Sequence, residues 1–191
     1  SLVTLTDRLP LDAADRAIAL CNRFTGIGAD GLIYGIERLD GSYSMRLLNS
    51  DGSPAELSGN GLRCFAQAIA RAQGVPHLEI DVDTPAGVRH CIVNATDDRR
   101  TVVATVDMGV VCPGPDPDVD DVMAAVGDAV AMVKRWETGD IGNPHVVCEV
   151  DDPGEVVLDV AGPAIEAHFE EGVNVHFVTV SGLNELRARH R

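Results

Sequence analysis

The stretch that most limits what this chain can fold into runs from Asn49 to Ala66: Asn-Ser-Asp-Gly-Ser-Pro-Ala-Glu-Leu-Ser-Gly-Asn-Gly-Leu-Arg-Cys-Phe-Ala. Its first half is turn chemistry, since Asn, Asp, Ser, Gly and Pro each favour local side-chain bonds or special backbone angles. Its second half starts a helix. From Leu62 to Ala72 the strongly polar residues are Arg63, Gln67 and Arg71, one narrow stripe at helical spacing. A helix apolar over most of its circumference belongs inside a domain, and a central helix is predicted over 60–73. Gly59-Asn60-Gly61 falls where it begins. The first N–H groups of a helix lack internal partners and attract anions, and glycine lets a ligand approach the main chain. The pattern reads as a pocket for a small carboxylate, or as a glycine-rich turn with water on its free N–H groups.

With 191 residues, the chain has room for one large or two small domains. Its formal net charge of -15 argues against nucleic acid and anionic membranes as partners. An anionic ligand remains compatible, because local N–H groups can outweigh a distant field. The five cysteines, 21, 64, 91, 112 and 148, include no C-x-x-C pair and are odd in number. Reduced thiols in a cytoplasmic protein fit that usage, and Cys64 reads as a core residue. The histidines at 77, 90, 168, 176 and 190 show no metal-ligand spacing and read as structural. Ser1–Leu5 resembles the middle of a strand and Arg187–Arg191 a strand cut short, so residues are expected to be missing at both ends.

Along the chain, Asp12 is expected to cap a helix whose apolar face is Ala14, Ala17, Ile18 and Cys21, ending near Arg23-Phe24. Gly26-Ile27-Gly28-Ala29-Asp30-Gly31 matches G-x-G-x-x-G, but it follows a helix and opens the strand-like Leu32-Ile33-Tyr34, the reverse of a dinucleotide fingerprint. Strands are expected at Tyr43–Leu48, Leu78–Asp83, Val88–Val93 and Thr101–Met108. Val111–Asp118, with three prolines, is the linker candidate, and the acidic run Asp116–Asp121 reads as solvated. This gives domains of 1–110 and 111–191 and an α+β class. In the second, Val122–Val133 is ambiguous between helix and strand. Gly139–His145 and Asp151–Gly154 are turns, and Val146–Val150 and Val173–Val180 are strands. Leu158–Phe169 is a helix interrupted at Gly162-Pro163. No apolar central helix is evident there. Asn174, inside an apolar strand, needs a polar partner, in a cleft or in a core network.

Four segments together resemble the diaminopimelate epimerase family: Gly26–Gly31; Asn49–Ser53 with Ser58–Phe65; Gly142-Asn143-Pro144-His145; and Gly172-Val173-Asn174-Val175. Their order and spacing fit over essentially the whole chain. The resemblance implies two similar α+β domains, each a curved, mainly antiparallel sheet around a central helix, the second incomplete here, with substrate in the cleft between them. It implies cofactor-independent inversion of LL- to meso-diaminopimelate, a step toward lysine and peptidoglycan precursors, by a cytoplasmic homodimer. It assigns Asn49, Gly59, Asn60, Asn143 and Asn174 to a small amino-acid substrate and His145 to the neighbourhood of the catalytic thiols.

Ser58 stands where the family has its first catalytic cysteine. A serine hydroxyl is a far weaker acid than a thiol and ionises only beside a dedicated base. Cys64 is no replacement, being about 600° of helix and roughly 9 Å further on. The second cysteine motif, a substrate-binding Glu-Arg pair and the opening strand would lie beyond the residues present. The alternatives are a single-base relative, a hydroxyproline-type epimerase or dehydratase, and a module that only binds an amino acid.

Overall fold

The structure is a computed structural model that describes residues 1–55, 57–98, 100–116, 133–170 and 172–190. Residues 122–132 of the ambiguous segment, residues 117–121 of the linker and acidic run, and Arg191 lie outside the described residues. The chain separates into two compact units, Ser1–Gly109 and Val110–Arg191. Among the described residues no helix is long and apolar enough to cross a membrane.

The first unit is a seven-stranded sheet with two helices. Its strands are β1 (Leu2–Thr6), β2 (Gly31–Glu37), β3 (Tyr43–Asn49), β4 (Pro54–Ala55), β5 (His77–Thr84), β6 (Gly87–Ala95) and β7 (Val102–Val106), in the order β1-β2-β3-β5-β6-β7 with β4 on β3. Helix α1 (Ala13–Cys21) is the crossover between the parallel pair β1 and β2, and β3 returns antiparallel to β2. Strand β2 is buried on both faces, which explains its unbroken apolar run. Leu32 and Tyr34 pack with Ala13, Ala17 and Cys21 of α1. On the opposite face, Ile33 packs with Leu62, Phe65 and Ile69 of α2 (Gly59–Gln73). These three α2 side chains are fully buried, each stabilising the unit by roughly 1.5–3 kcal/mol. Gly35 is glycine because a Cβ there would stand 2.2 Å from the Phe65 ring. Helix α2 ends at Gly74, whose φ of 68° is the left-handed conformation that closes a helix.

The second unit is a five-stranded sheet in the order β12-β11-β10-β9-β8. Its strands are β8 (Cys112–Pro113), β9 (Arg135–Asp140), β10 (Pro144–Glu149), β11 (Asn174–Gly182) and β12 (Glu185–His190). A 3₁₀ turn (Pro153–Glu155) and helix α3 (Leu158–Glu166) connect the parallel strands β10 and β11, and β12 returns antiparallel to β11. Parallel strands joined by a helix, then a hairpin, is the plan of β1-α1-β2-β3 repeated. Val146, Cys148, Val175 and Phe177 form the core with Ala161 and Ile165 of α3.

The α+β class is as expected, with four local corrections. Helix α1 buries Ala13, Ala17 and Cys21, while Ala14 and Ile18 are exposed; small residues at i, i+4 and i+8 bring the helix close to the sheet. The Asp12 carboxylate pairs with Arg16 at 2.9 Å instead of capping the helix. Helix α3 runs through Gly162-Pro163, since a proline there removes one backbone bond without ending so short a helix, and it gives the second unit a core helix of its own. Cys112–Pro113, inside the linker candidate, pairs with β9 at the sheet edge, where proline is tolerated.

Candidate functional site

In the first unit the expected residues gather at the start of α2. Ser58 is extended (φ −140°, ψ 111°), and its Oγ accepts the Gly61 N–H at 3.0 Å while its carbonyl accepts from Leu62 N at 2.8 Å. Ser58 is therefore the N-cap of the buried helix. Of the three amides at 59–61, that of Gly61 is thus taken by the cap, and among the described residues none is seen to bind those of Gly59 and Asn60. Gly61 lets the cap close, because a Cβ there would lie 3.1 Å from Ser58 Cβ and 3.2 Å from Ile33 Cδ1. Gly59 abuts Met108, whose Sδ would be 3.2 Å from a Cβ at that position. Asn60 is exposed, and its Oδ1 accepts from the Arg63 guanidinium. Asn49, exposed at the end of β3, is bound within its own turn: N to Ser53 O at 2.8 Å and Nδ2 to Ser53 Oγ at 3.1 Å.

In the second unit the structure draws its expected residues together. Asn143 sits in the β9–β10 turn beside Gly142, whose N–H donates to Asp140 Oδ1 at 2.6 Å. His145 Nε2 meets Asn143 Oδ1 at 3.0 Å, and His145 Nδ1 meets His176 Nε2 at 2.8 Å. Asn174, in register with His145, donates Nδ2–H to Pro144 O at 3.1 Å. The His145 and His176 ring centroids are 5.1 Å apart, and His190 follows His176 at 6.0 Å, so three rings cross three strands. Burial pushes the His145 imidazole below its ordinary value, partly opposed by Asp140. His176 is also lowered, first by burial and then by His145 and His190. Along this face an open groove of about 530 Å³ is lined by His145, Val147, His176, Val178, Leu186 and Ala188.

The three buried cysteines, Cys21, Cys91 and Cys148, offer no ready base. Burial raises the Cys91 and Cys148 thiols to about 11, the wrong direction for a thiolate. Cys64, expected in the core, is only half-buried, because it lies beside the polar stripe of α2. Among the described residues no group of three His, Cys, Asp or Glu side chains could hold a metal ion, the histidine row included.

The model of a family described as diaminopimelate epimerase matches residues 3–112. A diaminopimelate epimerase from Synechocystis sp. is 34% identical over 94% of this chain and 66% of its own length. One from Desulfitobacterium hafniense is 36% identical over 92% and 64%. One from Agathobacter rectalis is 33% identical over 93% and 67%. The chain belongs to the diaminopimelate epimerase family.

It spans about two thirds of the length of these relatives. Two solved structures share its fold at low identity. A phenazine biosynthesis protein of the PhzF family from Bacillus anthracis is 15% identical with a TM-score of 0.62, over 98% of this chain and 65% of that one. A hydroxyproline epimerase from Agrobacterium vitis, solved with bound trans-4-hydroxy-L-proline, is 14% identical with a TM-score of 0.62, over 98% and 66%. His176, read from the sequence as structural, is bonded to His145 in the structure. The available signal was its place in β11: two residues after Asn174 it shares that residue's sheet face.

Proposed function

We propose that this chain carries an amino-acid site of the cofactor-independent epimerase type, acting at the α-carbon of a diaminopimelate-like substrate in the LL-to-meso conversion. One observation supports this above the others. The amide oxygen of Asn143 is taken by His145 and one amide N–H of Asn174 by Pro144 O. Asn143 is left offering donors and Asn174 an acceptor, on neighbouring elements. An amino-acid zwitterion presents the complementary pair, a carboxylate that accepts and an ammonium that donates. In the first unit the Gly59 and Asn60 N–H groups at the start of α2 suit a carboxylate, and they would stabilise it further as it gains enolate character when the α-proton leaves.

The environment of Ser58 favours a second, narrower reading, in which one face of the α-carbon does the proton transfer. A two-base inversion needs a base on one side and an acid on the other. The Ser58 Oγ is engaged as a helix cap, a structural duty that supplies no proton acceptor near neutral pH.

The binding half is tested by NMR of the ¹⁵N-labelled chain, following the side-chain amides of Asn143 and Asn174. Meso-diaminopimelate is expected to shift both, and the pentane diamine lacking its carboxylates to leave Asn143 unmoved. Equal response to the two compounds, or none to either, rejects the reading.

A further inference from the structure

The bonds around His145 have a direction, and that direction depends on a residue outside the motif. Asn143 Oδ1 can only accept, so His145 Nε2, 3.0 Å away, carries the proton. A neutral imidazole has a single N–H, so His145 Nδ1 is an acceptor. The group facing it at 2.8 Å is His176 Nε2, which must then be the donor. The chain runs one way: His176 Nε2–H to His145 Nδ1, then His145 Nε2–H to Asn143 Oδ1. We propose that His176 is a positioning residue that locks His145 in its Nε2–H tautomer and thereby makes Asn143 present its N–H2, rather than its oxygen, to a ligand carboxylate.

Without a donor at His176, the Nδ1–H tautomer becomes available to His145. Its bare Nε2 would then call for the Asn143 amide to turn over and donate, leaving an oxygen where a carboxylate should bind. Acceptor against carboxylate is repulsive, so the same fold would lose its ligand without losing its shape.

The surroundings keep the chain neutral and one-directional. His145 and His176 share one sheet face, with β9 on one side carrying Glu137 and Asp140 and β12 on the other carrying His190. Helix α3 packs on the opposite face with the apolar core. Burial disfavours a second proton on either of the two rings, and a doubly protonated His145 would set Nδ1–H against the His176 donor. His190, stacked beyond His176 on an exposed edge strand, is a neighbour to this chain rather than a link in it.

The inference rests on Asn143 facing substrate, and the test has one arm for each claim. Long-range ¹H–¹⁵N NMR of the full chain near pH 7.5 reads the tautomer directly. His145 is expected to be protonated at Nε2 and bare at Nδ1. His176→Phe, apolar and of similar size, is expected to give mixed tautomers and a higher His145 titration midpoint. His176→Gln, which keeps an N–H donor, is expected to preserve both. An Nδ1-protonated His145 in the unaltered chain overturns the proposal, as does a His176→Phe spectrum unchanged at His145. Should His176→Phe not fold, the unaltered chain and the Gln variant still decide, the Gln variant failing the proposal if His145 changes tautomer. In the binding arm, His176→Phe is expected to weaken meso-diaminopimelate about five- to tenfold, the worth of one hydrogen bond, with recovery in His176→Gln. A tautomer pattern as expected, with no amino acid bound by any form, supports the positioning role and overturns the substrate reading instead.

Discussion

Strand β2 of the first unit and strand β11 of the second hold the same place in their sheets. Each has a parallel partner reached through a helix on one side and an antiparallel hairpin partner on the other. Strand β2 is covered twice, by α1 over Leu32 and Tyr34 and by α2 over Ile33. Strand β11 is covered by α3 over Val175 and Phe177, while Asn174, His176 and Val178 lie on the face with the open groove. On the doubly covered β2 the one buried hydroxyl, that of Tyr34, is met by Ala13 O at 3.3 Å. Among the described residues α3 covers one face of β11, and the amide and imidazole on the other are half-buried and bonded to neighbours, the condition under which pKa values move.

The comparison is broken most forcefully through the double coverage. Phe65→Ala removes the ring that fills the α2 face of β2 and is expected to destabilise the first unit by about 3–5 kcal/mol in chemical denaturation. Val147→Ala on the open face of the second unit, 37% exposed, is expected to cost under about 1 kcal/mol. Equal losses would mean that both sheets are covered alike. Next is Ser58→Ala, which removes the N-cap of α2 and is expected to cost roughly 1 kcal/mol, within a range of about 0.5–2. It should leave any α-proton exchange per folded molecule unchanged, and a collapse of exchange without loss of stability would make Ser58 a chemical participant.

The smallest effects are in pH, and they oppose each other between the units. His90, on the first sheet, is bonded to Asp81 at 2.8 Å and lies 3.3 Å from Glu79, and the Asp81 bond first among its causes raises its pKa. Its contribution is present below the ordinary imidazole value near 6.5 and is lost as pH rises through the higher folded value. His145 and His176 are lowered. The unfolded chain takes up their protons first, so the second unit loses stability as pH falls below about 6.5. Amide hydrogen exchange, corrected for intrinsic rates, should show β5–β6 relatively better protected near pH 5.5 than near 7.5, and β10–β11 the reverse. Parallel trends in the two strand pairs would contradict these assignments.

Much of the fold could be read in advance where one physical signal dominated. The apolar circumference of 62–72 forced a buried helix, and Leu78–Asp83 alternates as a half-exposed strand must. The errors fell where two signals competed. Ala14 and Ile18 are as apolar as Ala13, but close approach to the sheet selected the smaller row. Gly162-Pro163 argued for a break, yet the buried Ala161 and Ile165 hold the helix through it. In the second unit the need of Asn174 for a polar partner was legible, and Pro144 O meets it. The cap role of Ser58 was not drawn from its sequence, although a serine before a buried helix is a favoured N-cap. The His145–His176 contact was not legible because it comes from β10–β11 register, a long-range pairing that no local spacing records.

The two readings of the site, inversion of an amino-acid α-carbon and proton transfer at one face while Ser58 serves the helix, part at a single measurement, and the account takes the second. Incubating the protein with LL- and meso-diaminopimelate in heavy water and following deuterium at the α-carbons by NMR tests it most directly. The account predicts label at centres of one configuration and none at the other. Label entering both configurations at similar rates would return the Ser58 side to the chemistry, and neither binding nor label with either isomer would contradict the account as a whole.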